Sequence, residues 1–132
     1  MKLDKLDILT SEFARRRAIK EVGGCERCLT PKYSITKEDG SEFPAWKQLQ
    51  CAHYYGRSRK ITRYDPDNVF GFCGACHIYF TSNPNEFIDW FIKTKGQDKL
   101  DLLQARMRIP ARYLDRNGIE LYLKEEIRKF ER

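Results

Sequence analysis

Apolar residues recur among charged ones at helical spacing near the start of the chain. They are Leu6, Leu9, Phe13 and Ile19. A period of three to four residues predicts an amphipathic helix over about residues 3–22. Gly23 followed by Gly24 is typical of the end of such a helix.

The apolar runs become shorter in the middle of the chain. Residues 30–44 contain two prolines and a glycine and are predicted to form a loop or an irregular hairpin. An aromatic-rich strand is expected over 46–55, a basic loop over 56–68 and a second strand over 69–72. A helix is then expected to begin within residues 73–76 and to continue through Phe80.

Three further segments have apolar or aromatic residues at helical spacing. The first begins at Asn83-Pro84, a typical helix start, and ends at Gly96. The other two cover residues 99–107 and 118–131. We expect their apolar faces to pack in the core or against a partner, with the terminal helices as the contact of a possible homodimer.

Length and composition favour one folded body of 132 residues, with 41% hydrophobic and 33% charged residues. No apolar run approaches the roughly 20 residues that span a bilayer. The first seven residues carry charges where a secretory signal would need an apolar stretch. A cytoplasmic protein is therefore expected.

Basic residues outnumber acidic ones by 25 to 19, a net charge of +6 that suits a polyanionic partner. They form three clusters: residues 15–17 with Lys20, residues 57–60 with Arg63, and Arg106, Arg108, Arg112 and Arg116. No acidic residue occurs from 56 to 64. Such a run is either a solvated surface or a site for phosphates. The candidate DNA contacts in it are Arg57, Arg59, Lys60 and Arg63.

Four of the five cysteines form two Cys-x-x-Cys pairs. The pairs are Cys25 with Cys28 and Cys73 with Cys76, each next to glycine. Two such turns can supply the four thiolates of a tetrahedral structural zinc site. The alternatives are two reactive dithiols or buried free thiols. Cys51 is left over, and we expect it to pack in the first strand.

Both histidines of the chain lie in this central region. His53 is in the predicted first strand, His77 directly follows the second cysteine pair, and Asn68 lies between them. Each residue alone is more often structural than functional. Their placement around a zinc-stabilised hairpin favours a shared site.

The order His53, Asp-Asn68-Val and Cys-x-x-Cys-His77 resembles the motif of the HNH endonucleases, the ββα-metal nucleases. Residues 49–58, 63–69 and 73–76 are most similar to the phage NinG (Rap) recombination endonucleases, which cut branched DNA. The resemblance implies an α+β fold. It consists of an N-terminal helix over 1–23, a zinc-stabilised ββα core over 24–83 and a helical extension over 84–132, within a single domain.

The same resemblance implies a hydrolase that cuts DNA in a bacterial or phage-infected cell. A neutral histidine, with an ordinary pKa of about 6.5, can take a proton from water at neutral pH, and His53 is the candidate general base. His77 would hold the catalytic Mg²⁺ or Mn²⁺. Asn68 would tie down the loop that orients the base. Little sequence selectivity is expected, with branched DNA or Holliday junctions as possible substrates.

One position departs from the family pattern. Many members carry an acidic metal ligand directly before the base, and this chain has Ala52. The missing contact could come from water and DNA phosphate, which we favour because Mg²⁺ retains several waters. The protein candidates are Asn83, Asp65, Asp67 and Cys51.

Two alternatives to a nuclease remain open. A zinc-stabilised DNA-binding or adaptor module would bind DNA without cutting it, and a purely structural or protein-binding role would need neither activity. Hydrolysis at the four-cysteine site itself is disfavoured, because four thiolates leave no open coordination position.

Overall fold

Five α-helices and two antiparallel strand pairs make up the fold over residues 2–131, which the computed structural model describes. Met1 and Arg132, the ends of the predicted single domain, lie outside the described residues. The elements are α1 (Lys5–Val22), β1 (Ile35–Thr36), β2 (Glu42–Phe43), β3 (Gln50–His53), β4 (Val69–Phe72), α2 (Gly74–Ser82), α3 (Pro84–Lys95), α4 (Gln97–Met107) and α5 (Arg116–Phe130). The predicted α+β class is confirmed. No helix in this range combines the length and the hydropathy needed to cross a membrane.

Helix α1 has well-defined caps at both ends. The Asp4 carboxylate accepts the backbone N–H of Asp7 at 2.9 Å, and the Asp7 carboxylate accepts that of Asp4 at 2.8 Å. These two bonds satisfy donors that the first turn leaves unpaired. Gly23 ends the helix with a φ of 72°, as the Gly23-Gly24 signal predicted.

The central hairpin pairs β3 with β4 in antiparallel register, so that Gln50 faces Phe72 and His53 faces Val69. The predicted strand over 46–55 is too long. Residues Ala45–Gln48 form a short 3-10 helix instead, closed by the Leu49 N–H bonded to the Trp46 carbonyl at 3.2 Å. The second strand over 69–72 is confirmed. Helix α2 follows it directly, which gives a strand, strand, helix order.

The three C-terminal helices lie where the apolar spacing predicted them. Helices α4 and α5 begin two residues earlier than expected. At α5 the Asp115 carboxylate accepts the Gly118 N–H at 3.0 Å and moves the helix start to Arg116. The apolar face of α5, with Leu123 and Ile127, packs on Phe13 of α1. This face is therefore covered within the chain, and the homodimer stays a prediction.

Aromatic rings fill the core between the hairpin and helices α2 and α3. Phe70 and Phe72 of β4 meet Trp90 of α3 edge to face, each at 5.1 Å between ring centres. Phe80 of α2 stacks on Phe87 of α3 at 4.8 Å. Such pairs add about 0.5–1.5 kcal/mol each beyond the burial of their area.

Helix α1 crosses β4 so closely that only glycine fits at position 71. A Cβ atom added to Gly71 would lie 2.7 Å from the Cβ of Ala18 and 3.2 Å from the Ala14 carbonyl oxygen. Both neighbours belong to the helix and neither can rotate away. This close approach fixes α1 against the hairpin.

We expect Gly71→Ala to destabilise the protein by about 1–3 kcal/mol, because the added methyl group overpacks the contact between α1 and β4. Chemical denaturation followed by circular dichroism measures the change. Gly56→Ala is the matched control, since a Cβ there meets nothing within 4 Å. Equal stabilities of the two variants would contradict the packing argument.

Candidate active site and metal centre

Four cysteine sulfurs converge between the turn after α1 and the start of α2. They belong to Cys25, Cys28, Cys73 and Cys76, and all lie within 4.8 Å of one another. Sulfurs bonded at about 2.3 Å to one tetrahedral zinc ion would be about 3.8 Å apart. The sulfurs of Cys28 and Cys73 are 3.9 Å apart. The cluster could therefore hold a structural zinc ion.

The first cysteine pair is attached to the hairpin through Glu26, which is 4% exposed. Its N–H donates to the Gly71 carbonyl at 3.0 Å, and its carboxylate accepts the Gly71 N–H at 2.7 Å. The ammonium group of Lys95 completes the set at 2.7 Å. These contacts hold the metal cluster to β4 and to the end of α3.

The four thiols have different electrostatic surroundings. Burial raises the pKa of Cys25, and it raises the pKa of Cys76 to about 12 although an Arg27 N–H lies 3.5 Å from that sulfur. A hydrogen bond with the Thr30 hydroxyl lowers the pKa of Cys28 to about 6. A bound cation favours the thiolate form at every position.

We expect Cys28→Ser to abolish stoichiometric zinc binding and to lower the unfolding temperature sharply. Zinc bound to four thiolates can contribute on the order of 10 kcal/mol to folding, and Cys28 is exposed, so little packing is lost with it. Mass spectrometry for metal content and thermal circular dichroism measure both effects. Cys51→Ser, outside the cluster, should retain zinc. One zinc ion per chain in Cys28→Ser would refute the assignment.

His53, the last residue of β3, has one ring nitrogen fixed by the backbone. Its Nε2 donates to the Arg63 carbonyl at 3.0 Å. Because a carbonyl oxygen only accepts, Nε2 carries the proton and Nδ1 the lone pair in the neutral ring. Burial lowers the pKa of His53 below its usual 6.5, and the positive charge of Arg57 lowers it further. The hydrogen bond to the Arg63 carbonyl raises this pKa but does not offset the effect of burial. The ring is therefore a neutral base at neutral pH.

Asn68 is fully buried and ties together both ends of the loop between β3 and β4. Its side-chain oxygen accepts the Tyr55 N–H at 2.7 Å. Its amide group donates to the Tyr55 carbonyl at 2.9 Å and to the Thr62 carbonyl at 3.0 Å. The carbonyl that binds His53 belongs to Arg63, the residue after Thr62. Asn68 thus holds the segment that orients His53.

His77 lies in the first turn of α2, directly after the cysteine cluster. Its Nδ1 lies 2.8 Å from the side-chain oxygen of Gln50 in β3. That contact leaves the Nε2 lone pair available as a metal ligand. Burial lowers the pKa of His77, and the charge of Arg57 lowers it further.

One cavity of about 410 Å³ brings the two histidines together. His53 and His77 line one side, and Asp7, Ser11 and Arg15 of α1 line another. The three α1 residues are four positions apart and so share one helix face. The reaction cavity, as we name it here, is therefore formed jointly by the hairpin, α2 and α1.

Arg63 is buried against Asp7, contrary to the prediction that it contacts DNA. It is 8% exposed, and its Nε and Nη2 donate to the two carboxylate oxygens of Asp7 at 2.8 and 2.5 Å. A guanidinium used in this way has no free face for a phosphate. The ion pair instead fixes the segment whose carbonyl receives the His53 bond.

The other predicted phosphate contacts lie outside the core. Arg59 and Lys60 are exposed, and Arg57 lines the reaction cavity. Arg15 of α1 also lines this cavity. Neither Arg15 nor Arg57 forms an ion pair within residues 2–131. From the sequence, Arg15 was expected only to extend, with its neighbours, the DNA contacts of the basic loop. Its spacing from Asp7 and Ser11 was visible, but no local signal connected that helix face to the histidines.

Ala52 does not face the reaction cavity at all. It is 1% exposed, pairs with Phe70 and belongs to the hydrophobic core. Side chains alternate along a strand, so a carboxylate at 52 would enter the core while His53 faces the cavity.

The protein candidates for the missing metal ligand are used elsewhere or are poor ligands. Asp65 and Asp67 both accept N–H groups of Arg106, at 2.7 and 2.8 Å. The Asn83 amide donates to the Tyr79 carbonyl at 2.8 Å, and burial raises the pKa of Cys51 to about 12. Within residues 2–131, the four-cysteine cluster is the only group of three or more convergent metal-ligating side chains.

No family model, curated protein or solved structure matches the chain.

Proposed function

We propose that this protein is a metal-dependent DNA endonuclease of the HNH type that hydrolyses phosphodiester bonds in the reaction cavity. The observation that carries the proposal is the state of His53. Its Nε2 is fixed on the Arg63 carbonyl at 3.0 Å. The segment that carries this carbonyl is held by Asn68, which donates to the Thr62 carbonyl, and by the ion pair of the Arg63 side chain with Asp7. A base needs such fixed orientation because small displacements cost large factors in rate.

The proton transfer uses the nitrogen that the fold leaves open. Nδ1 of His53 accepts the proton from a water molecule that attacks the phosphorus, and the imidazolium that forms is balanced by the nearby Asp7 carboxylate. The lowered pKa of His53 keeps the ring neutral before the reaction.

Two arginine side chains of the reaction cavity, Arg15 and Arg57, bind the phosphate in this proposal. Arg15 and Arg57 line one cavity from different elements, and neither forms a salt bridge within residues 2–131. Guanidinium groups bind phosphate oxygens in bidentate fashion and stabilise the charge that develops on them. Arg59 and Lys60, on the exposed loop, would contact phosphates further along the DNA.

A divalent cation fits the cavity through His77. The lone pair of Nε2 would hold Mg²⁺ or Mn²⁺ with water and DNA phosphate among the remaining ligands, since residues 2–131 form no group of three or more ligating side chains in this cavity. When bound, such an ion neutralises the phosphate and stabilises the departing 3′ oxygen. A zinc ion held by Cys25, Cys28, Cys73 and Cys76 would fix the start of α2 and so keep His77 in place.

We expect His53→Ala to reduce cleavage of plasmid DNA at least about 100-fold, because general base catalysis is worth roughly 10²–10⁴ in rate. Gel assays with Mg²⁺, Mn²⁺ or EDTA, on plasmid and synthetic four-way junctions, measure activity and substrate preference together. Tyr33→Ala, at an exposed position just before β1, is a control that should retain activity. Undiminished cleavage by His53→Ala would exclude the mechanism.

The rate of cleavage should rise with pH through a midpoint below 6.5 and then level off. The base works only when unprotonated, and burial keeps His53 unprotonated at more acidic pH than usual. Arg57→Met should move the midpoint upward, since the Arg57 charge lowers the pKa of His53. Single-turnover rates at saturating DNA test both statements, and a midpoint above that of free histidine would contradict them.

A second candidate is a zinc-stabilised DNA-binding module without catalysis. It is favoured by the core position of Ala52 and by the lack, within residues 2–131, of three or more convergent metal ligands in the cavity. DNA binding that survives His53→Ala, together with no metal-dependent cleavage by the unchanged protein, would select it.

A further inference from the structure

A second groove lies beside the reaction cavity on the next face of α1. Its volume is about 340 Å³. Its lining consists of three cations, two aromatic rings and one aliphatic side chain: Arg16, Lys20, Lys129, Trp46, Phe130 and Ile19. No carboxylate side chain of residues 2–131 lines it. The groove therefore combines positive charge with flat apolar surface.

Trp46 connects this groove to the reaction cavity. The guanidinium groups of Arg15 and Arg16 each lie 4.7 Å from the centre of its ring. Arg15 also lines the reaction cavity, whereas Arg16 and Trp46 line the groove. A chain of phosphates bound at Arg15 can thus continue past Trp46 to Lys20 and Lys129; Arg16 itself is paired with Glu12 at 2.8 Å and with Glu131 at 3.4 Å.

The groove cations are available to a polyanion. Lys20 is exposed, and its ammonium group lies over the ring of Phe130 at 5.7 Å. Lys129 is paired with Glu126 at 3.0 Å on the surface of α5. Exposed pairs of this kind are weak, so a phosphate can replace the carboxylate at little cost.

We propose that this groove binds a single-stranded segment of the DNA substrate. An unpaired base would stack on the layer formed by Arg16 and Trp46, and the neighbouring phosphates would contact Lys20 and Lys129. Bases stack both on aromatic rings and on guanidinium planes, whereas the bases of an intact duplex are already stacked. The inference rests on the proposed function and narrows its substrate to DNA with an unpaired stretch beside the cut.

Binding of labelled single-stranded and duplex oligonucleotides, measured by anisotropy in zinc-loaded protein without Mg²⁺ or Mn²⁺, tests the groove directly. We expect Lys20→Ala/Lys129→Ala to weaken single-strand binding at least about tenfold. It should also reduce the slope of log affinity against log salt by about 1.4, since each lost contact with single-stranded DNA contributes about 0.7.

The matched control is Lys37→Ala/Lys124→Ala. Lys37 lies over the Phe43 ring at 5.7 Å, as Lys20 does over Phe130, and Lys124 pairs with Glu120 along α5, as Lys129 does with Glu126. This variant loses the same charge outside the groove and should leave single-strand binding within about twofold of the parent. Equal weakening by both variants would overturn the proposal, because it would show only a general charge effect.

Tryptophan fluorescence gives an independent readout. Trp46 and Trp90 are the two tryptophans of the chain, and Trp90 packs in the aromatic core. Single-stranded DNA should quench the emission of the parent protein, and Trp46→Phe should remove that quenching. Undiminished quenching in Trp46→Phe would refute stacking at the groove.

Cleavage assays separate this inference from the proposed function. One outcome is that Lys20→Ala/Lys129→Ala, the groove variant, cuts duplexes with single-stranded overhangs more slowly than the parent but cuts plain duplex at the parent rate. This result would support both the endonuclease and single-strand binding in the groove. If the groove variant cuts both substrates at the parent rates, the endonuclease proposal is supported and single-strand binding in the groove is refuted. If the parent cuts nothing but the groove variant alone loses single-strand binding, the groove stands and the endonuclease fails.

Discussion

The loop between β3 and β4 has to keep one conformation, because it carries the backbone carbonyl that orients His53. A loop of this length would otherwise sample many conformations, each with a different direction for the Arg63 carbonyl. The buried amide of Asn68 removes that freedom with three hydrogen bonds across the loop. The orientation of the His53 ring therefore depends on the buried hydrogen bonds of Asn68.

Two contacts outside the loop maintain this arrangement from opposite sides. On one side α1 supplies Asp7, whose carboxylate pairs with the buried Arg63, and α1 itself is held against β4 by the close contact at Gly71. On the other side the cysteine cluster and the Glu26–Lys95 ion pair fix the start of α2 and hence His77. A buried ion pair contributes little net stability, but loss of one partner leaves an uncompensated charge. Such pairs therefore act here mainly as positioning devices.

Much of the secondary structure could be predicted because its signals are local. Gly23, Pro84 and Gly96 mark helix ends through their own backbone preferences, and the strand over 69–72 and helices α2 to α5 followed from apolar spacing. The strand over 46–55 was predicted too long. Trp46 has a high strand propensity, but its ring lies against Arg15 and Arg16 of α1, and that tertiary contact favours a 3-10 helix.

The sequence by itself was enough to identify four cysteines that could hold a metal ion and the candidate site residues His53, His77 and Asn68. These assignments depend only on residue type and short spacing. Only the tertiary structure decided which charges enter the site. Arg63 lies beside Lys60 in one basic run, yet it is buried on Asp7, whereas Arg15, far away in sequence, lines the cavity with His53. Local patterns carry no information on contacts across some fifty residues, since those depend on how α1 packs on the hairpin.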